Sequence, residues 1–233
     1  MAVAAAEVVA ASPITWRRLL RERYVLSVDL GQSNDPTALS VLHHREYEQF
    51  NRALIQRDPR GAIETVEDFV VRYLARLPLG LPYPAQVAEV RLILNRPPLS
   101  GNCELVLDDT GVGRAVSDIF AQAGLDPLRV TITGGEKQSG YASGRRWHVP
   151  KSVLVSHLDA RLHTKELVFA DDLVLQEAMF QELGDFRRHV SAAGRYSFEA
   201  RVGKHDGLVL AVAIGLWALV GRPKPAFPSF GRY

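Results

Sequence analysis

Cysteine is almost missing from this sequence: one residue, Cys103, stands in 233. That excludes an internal disulfide. No Cys/His group has zinc-site spacing either, so a reducing compartment is the expectation. Net charge is also scarce, at a formal +2. Overall charge therefore gives no argument for nucleic acid, and any such surface must come from clustering. The longest apolar run, Gly207 to Val220, has 14 residues, whereas a membrane-spanning helix needs about 20; a buried core helix is expected there instead. Met1 to Ala11 is rich in Ala and Val but has no basic start, so no secretion signal is expected. A P-loop, G-x-x-x-x-G-K-S/T, is absent, and Gly134-Gly-Glu-Lys137 does not fit one. The expectation is a soluble, intracellular protein. With 47% hydrophobic residues it can bury a real core in one large domain.

Along the chain, residues 1–22 read as a helical lead-in ending in the basic run Arg17, Arg18, Arg21, Arg23. A main domain follows over 23–222, and the Pro-rich 223–233 reads as a flexible tail. Tyr24 to Leu30 is a buried strand delivering Asp29, Thr37 to His43 a second strand, and Val66 to Leu77 a third. Arg45 to Gly61 is expected as a loop. Pro84 to Asn95 is spaced as a helix, Glu104 to Leu107 as a strand, and Val112 to Ala123 as a helix. Leu128 to Thr133 is a further strand, and the Gly/Ser-rich 134–146 is expected as a mobile flap. Pro150 opens a helix, Leu167 to Phe169 is a strand, and Leu173 to Leu183 a helix. Phe186 to Val190 and Tyr196 to Ala200 form a hairpin, and Asp206 begins the last helix. The order predicts an α/β protein with a mixed sheet, helices on both faces, and an added C-terminal hairpin.

Three acids fall where elements begin or end: Asp29, Asp108 and Asp206. A carboxylate at a strand's C-terminal edge points into the crevice where α/β sheets hold ligands. If the strands carrying Asp29 and Asp108 are neighbours, their ends lie roughly 5 Å apart. Such a pair raises one pKa unless a cation lies between them, and hard oxygen donors favour Mg²⁺ or Mn²⁺. A third carboxylate from the last helix suits two ions and in-line phosphodiester cleavage. Each residue also has a plainer reading: Asp29 as a turn residue, Asp108 or Asp109 as a helix cap, Asp206 as the cap of a long apolar helix.

Four segments resemble the nuclease domain of phage-type large terminase subunits, members of the RNase H-like superfamily. They are Val28-Asp29-Leu30-Gly31 with Asp35-Pro36-Thr37-Ala38; Leu105-Val-Leu-Asp108-Asp-Thr110-Gly111-Val-Gly113; His148-Val149-Pro150-Lys151 with Leu154-Val155; and His205-Asp206-Gly207-Leu208, preceded by Gln181-Glu182-Leu183 and Tyr196-Ser-Phe-Glu199. The resemblance runs from about Val25 to Trp217. It implies an RNase H-like mixed five-stranded sheet and a metal-dependent endonuclease cutting double-stranded viral DNA during genome packaging in the host cytoplasm. Asp29, Asp108 and Asp206 would be metal ligands for Mg²⁺ or Mn²⁺, in two sites. A motor ATPase, a small terminase subunit and the portal are the implied partners. The family commonly has a second acid directly after the last one; Gly207 replaces it here, and Asp109 is the candidate substitute.

His205 is a candidate proton shuttle beside Asp206, or an exposed loop histidine. Lys151, Arg145, Arg146, Lys204, Arg187 and Arg188, with Arg195 and Arg201, are candidates to line a DNA groove, against a reading as ordinary solvated charge. Trp147 is expected to pack rather than to stack on a base. Rival functions are a Holliday-junction-type resolvase, a sugar-kinase or actin-like ATPase, and a non-catalytic DNA- or motor-binding module.

Overall fold

The computed structural model describes residues 14–31, 35–54, 62–111, 113–141, 143–190, 196–200 and 206–223. In chain order the elements are β1 (Ile14–Asp29), β2 (Ala38–Asn51), β3 (Ile63–Arg76), α1 (Tyr83–Leu94), β4 (Cys103–Asp108), α2 (Gly113–Gln122), β5 (Leu128–Thr133), β6 (Ser139–Gly140), β7 (Arg146–Pro150), α3 (Lys151–His163), β8 (Leu167–Phe169), α4 (Gln176–Asp185), β9 (Phe186–Val190), β10 (Tyr196–Ala200) and α5 (Gly207–Leu216). One π turn, Trp217–Gly221, prolongs α5. The main sheet has the order β6-β7-β5-β4-β1-β2-β3-β8, and β9 pairs with β10 in a separate hairpin. The sheet is mixed: β4 pairs parallel with β1 and β5, β7 with β5, and β8 with β3, while β6 runs antiparallel to β7.

The sheet is mixed and flanked by helices as expected, but it has eight strands rather than five. The two strands not read from the sequence are β6 and β7: Ser139–Gly140 pairs with Trp147 and His148, and Arg146–Pro150 runs parallel to β5. The 134–146 stretch, expected as a mobile flap, is paired with its neighbours at Ser139–Gly140. Gln138 accepts a bond from Trp217 Nε1 at 2.9 Å, and Tyr141 N donates to the Arg146 carbonyl.

The chain divides into two compact units, residues 1–22 with 45–68 and residues 23–44 with 69–233. In the first unit the expected helix is strand from Ile14 onward, and the expected loop after Arg45 is strand as far as Asn51. Side chains paired across strands explain the difference. Arg17 forks onto Gln49 Oε1 at 2.7 and 3.0 Å, Arg18 meets Glu48, and Trp16 stacks on Phe50 at 6.3 Å. Arg45 closes a bidentate pair with Asp68, both bonds 2.8 Å, and Gln49 donates to Glu64. Such pairs are the unit of sheet stability, and partners some thirty residues away override local helix preference.

The second unit holds both cores, one on each sheet face. Alternation along the strands sends Val25, Val106, Val130 and Val149 to the face covered by α3, α4 and α5. Leu26, Val28, Leu105 and Leu107 go to the other face, covered by α1 and α2. Helix α5 is apolar all round and is buried from Leu208 to Leu216, as its sequence predicted. It lies close on the sheet because residue 215 is Gly: a Cβ there would come within 2.6 Å of Ser27 Oγ and 2.7 Å of Leu42. Ser27 Oγ donates to the Ala211 carbonyl at 2.6 Å, which ties β1 to α5. The helix start is thereby set against the end of β1, where Asp29 sits. Among the described residues no helix is long and apolar enough to cross a membrane.

Candidate metal centre

Parallel pairing puts Asp29 directly opposite Asp108, at the C-terminal ends of the adjacent strands β1 and β4. Both share the side-chain face of Val25 and Val106, the face under α3 and α5. Their carboxyl groups are in hydrogen-bond contact. Two carboxylates this close need a proton or a cation between them. Burial pushes Asp29 well above the ordinary carboxylate range, and the charges of Asp108, Asp206 and Glu182 push it further. Burial raises Asp108 as well, against the opposing bonds from Thr110. Thr110 fixes Asp108 from below: its backbone N–H donates to Asp108 Oδ1 at 2.9 Å and its hydroxyl to the same oxygen, while Ile132 N–H donates to the hydroxyl at 2.8 Å.

Asp206 occupies the N-cap position of α5 but makes no side-chain cap bond there. Its Oδ2 instead receives Lys151 Nζ at 2.8 Å. This decides against the plain capping reading. It also gives Lys151, expected on DNA, a carboxylate partner at the start of α3. Gly207 follows at the first helical position, where a Cβ would meet Asp29 Oδ2 at 3.1 Å and Ala38 Cβ at 3.3 Å. A side chain in the place of the family's second acid would crowd Asp29.

Asp109, the candidate substitute, accepts from Thr131 Oγ1 at 2.6 Å, and neighbouring strand residues face opposite sides, so it does not join the Asp29–Asp108 pair. Arg145 and Arg146 are not brought to the carboxylates either. Arg145 is engaged with Glu104 and Asp126, and Arg146 lies over the Tyr141 ring, on the sheet face opposite Trp147 and Val149. Trp147 packs edge-on against Trp217 at 5.7 Å, as expected of a packing residue. Arg187 and Arg188 are in β9, with only their backbone described. Lys204, His205, Arg195 and Arg201 lie outside the described residues.

One participant had been quoted without a role. Glu182, on α4, is buried at 6% exposure. It accepts the Val209 N–H at 3.1 Å and pairs with Arg76 at the end of β3. Burial raises its pKa despite those bonds. It thus ties the first turn of α5 to α4 and β3, and places a fourth carboxylate in the field of Asp29. The signal in the sequence was an acid three residues after Met179 on the inward face of α4; both residues are buried.

Among the described residues no three His, Cys, Asp or Glu side chains are close enough as placed to form a closed metal-binding group. The donor set still fits a hard divalent ion in kind, since all its members are carboxylate oxygens.

Comparison with known proteins agrees on the fold. No protein-family model matches the chain, and no curated protein matches it. Among solved structures, the large terminase nuclease of thermophilic phage G20c with bound magnesium is 20% identical, with a TM-score of 0.54 over 88% of this chain and 90% of that one. The large terminase nuclease domain of Thermus phage P74-26 is 19% identical, with a TM-score of 0.52 over 85% of this chain and 83% of that one. The chain therefore has the fold of large terminase nucleases, the RNase H-like fold that its four sequence segments implied.

Proposed function

We propose that this chain is a divalent-metal-dependent endonuclease that cuts double-stranded DNA during viral genome packaging, working with a motor ATPase carried elsewhere. The observation that carries the proposal is the Asp29–Asp108 pair on adjacent parallel strands, with Asp206 presented over the same sheet face. Solved neighbours of this fold are phage large terminase nucleases, and one of them was solved with bound magnesium.

Asp29, Asp108 and Asp206 are the proposed ligands for Mg²⁺ or Mn²⁺, in one or two sites. Divalent ions bound there would supply the Lewis acidity that activates water and stabilises the leaving oxygen in phosphodiester hydrolysis. The rest of the work belongs to the protein. Thr110 holds Asp108 in one orientation, and Glu182 holds the first turn of α5 and with it Asp206. Lys151 neutralises Asp206, and it would receive a DNA phosphate when Asp206 turns to an ion. No Ser, Cys or Tyr nucleophile is required. Further DNA contacts are proposed for Lys204, Arg187 and Arg188 around the hairpin, and a proton-shuttle role for His205.

Incubation with supercoiled plasmid and Mn²⁺ or Mg²⁺, beside Asp206→Ala and an EDTA control, tests the reading. Nicked and linear products are expected with metal only, and are expected to be lost in the variant while its circular dichroism is unchanged. A preference for a four-way junction over linear duplex would point to a resolvase. A folded protein that cuts nothing under either metal would overturn the nuclease assignment.

A further inference from the structure

Away from the carboxylates, on the sheet face covered by α1, lies a cavity of about 350 Å³. Tyr24, which lines it, precedes Asp29 by five residues on β1, about 16 Å at the usual strand rise. The two sites are therefore separate. The cavity floor is apolar and aromatic. Val41 and Leu99 are 4% and 7% exposed, and Tyr24 stacks on His43 with ring centroids 4.2 Å apart and planes 15° apart. Pro97, Pro98 and the half-exposed Tyr73 continue this lining. The charge is all of one sign: Arg72 and Arg96 line the cavity, both are exposed, and no carboxylate among the described residues pairs with either.

A chamber of this volume is in the range of small-ligand sites, which are mostly apolar with a few placed polar groups. Flat aromatic and proline walls select a planar ring by stacking and edge contacts. Two guanidinium groups at the same cavity add a requirement for an anion, which they can grip by forked hydrogen bonds. A neutral ring would leave both arginines unused, and a bare inorganic anion would leave the apolar floor wet.

We propose that the cavity formed by Tyr24, Val41, His43 and Leu99 between Arg72 and Arg96 binds a small planar aromatic anion of mononucleotide size. A nucleotide base with its phosphate and a fused-ring carboxylic acid share this chemistry, and titration separates the two. Calorimetric titration of the full chain with dAMP, with 2-naphthoate and with the neutral isostere 2-naphthamide is the test. Saturable one-to-one binding of at least one anion is expected. It should weaken by roughly tenfold or more in the Arg72→Gln/Arg96→Gln double variant and by a similar factor for the amide. Saturation by dAMP alone assigns a nucleotide site, and by 2-naphthoate alone an aromatic-acid site. The proposal is overturned if neither anion binds, if the amide binds as well as the acid, or if the double variant binds as the parent does. Plasmid cleavage by the same double variant is expected to match the parent, so the two sites stand or fall separately.

Discussion

Asp29→Asn is expected to abolish metal-dependent cleavage and, at the same time, to raise the melting temperature of the metal-free protein. The loss follows from the site: an amide removes the negative oxygen that Asp29 shares with Asp108. Removing a group of this kind costs on the order of 10²–10³-fold or more in rate. The gain follows from the same geometry. Burial and the charges of Asp108, Asp206 and Glu182 hold the Asp29 carboxyl well above its usual range. A carboxyl raised on folding binds its proton more tightly in the native state, so its contribution to stability is present at low pH. It is lost as pH rises from the unfolded value through the folded one. The parent in EDTA should therefore lose stability relative to Asp29→Asn across that rise, and the difference should be larger at pH 8 than at pH 4. Melting temperatures of both proteins at the two pH values, beside plasmid cleavage at the higher, check this. A variant that melts below the parent at pH 8 would show that the carboxylate pair is not under strain.

The second large effect is structural. Trp217→Ala is expected to cost about 3–5 kcal/mol, the usual range for emptying a fully buried large aromatic. Trp217 is 0% exposed, packs edge-on against Trp147, and donates from Nε1 to Gln138 at 2.9 Å. In a chain of this length such a loss lowers the melting temperature by roughly 10 °C. The indole does more than fill space, because its bond to Gln138 anchors the segment leading into β6. Trp217→Phe keeps most of the ring and loses that bond, so it should be the milder variant and should leave the Gln138 side chain without its indole donor. Denaturant unfolding of the two variants separates packing from anchoring. Equal losses in both would assign the effect to the hydrogen bond.

How much of this was legible in the sequence depended on range. Asp29 and Asp108 could be found because each ends an apolar strand, and a strand end is a local feature. Their pairing was only conditional there, since it needs β1 and β4 to be neighbours across more than seventy residues. Asp206 was suggested by its place at the start of the last helix and by resemblance; its bond to Lys151, 55 residues away, was not visible in any local pattern. Glu182 stood in plain view on α4, yet its role rests on Val209 and Arg76, neither of them near in sequence. The helix expected over Arg17 to Glu22 became strand for the same reason: the partners lie on β2. Arg146 was within reach of period-2 reasoning, because it alternates with Trp147 and so turns away from the face that holds the carboxylates.

The central claim is that Asp29, Asp108 and Asp206 converge to hold a divalent ion, and a crystal soaked in Mn²⁺ tests it most directly. An anomalous peak is expected within coordination distance of Asp29 and Asp108, with Asp206 turned from Lys151 toward it. Mn²⁺ bound elsewhere on the chain, with Asp29 still hydrogen-bonded to Asp108 and Asp206 still on Lys151, would contradict it.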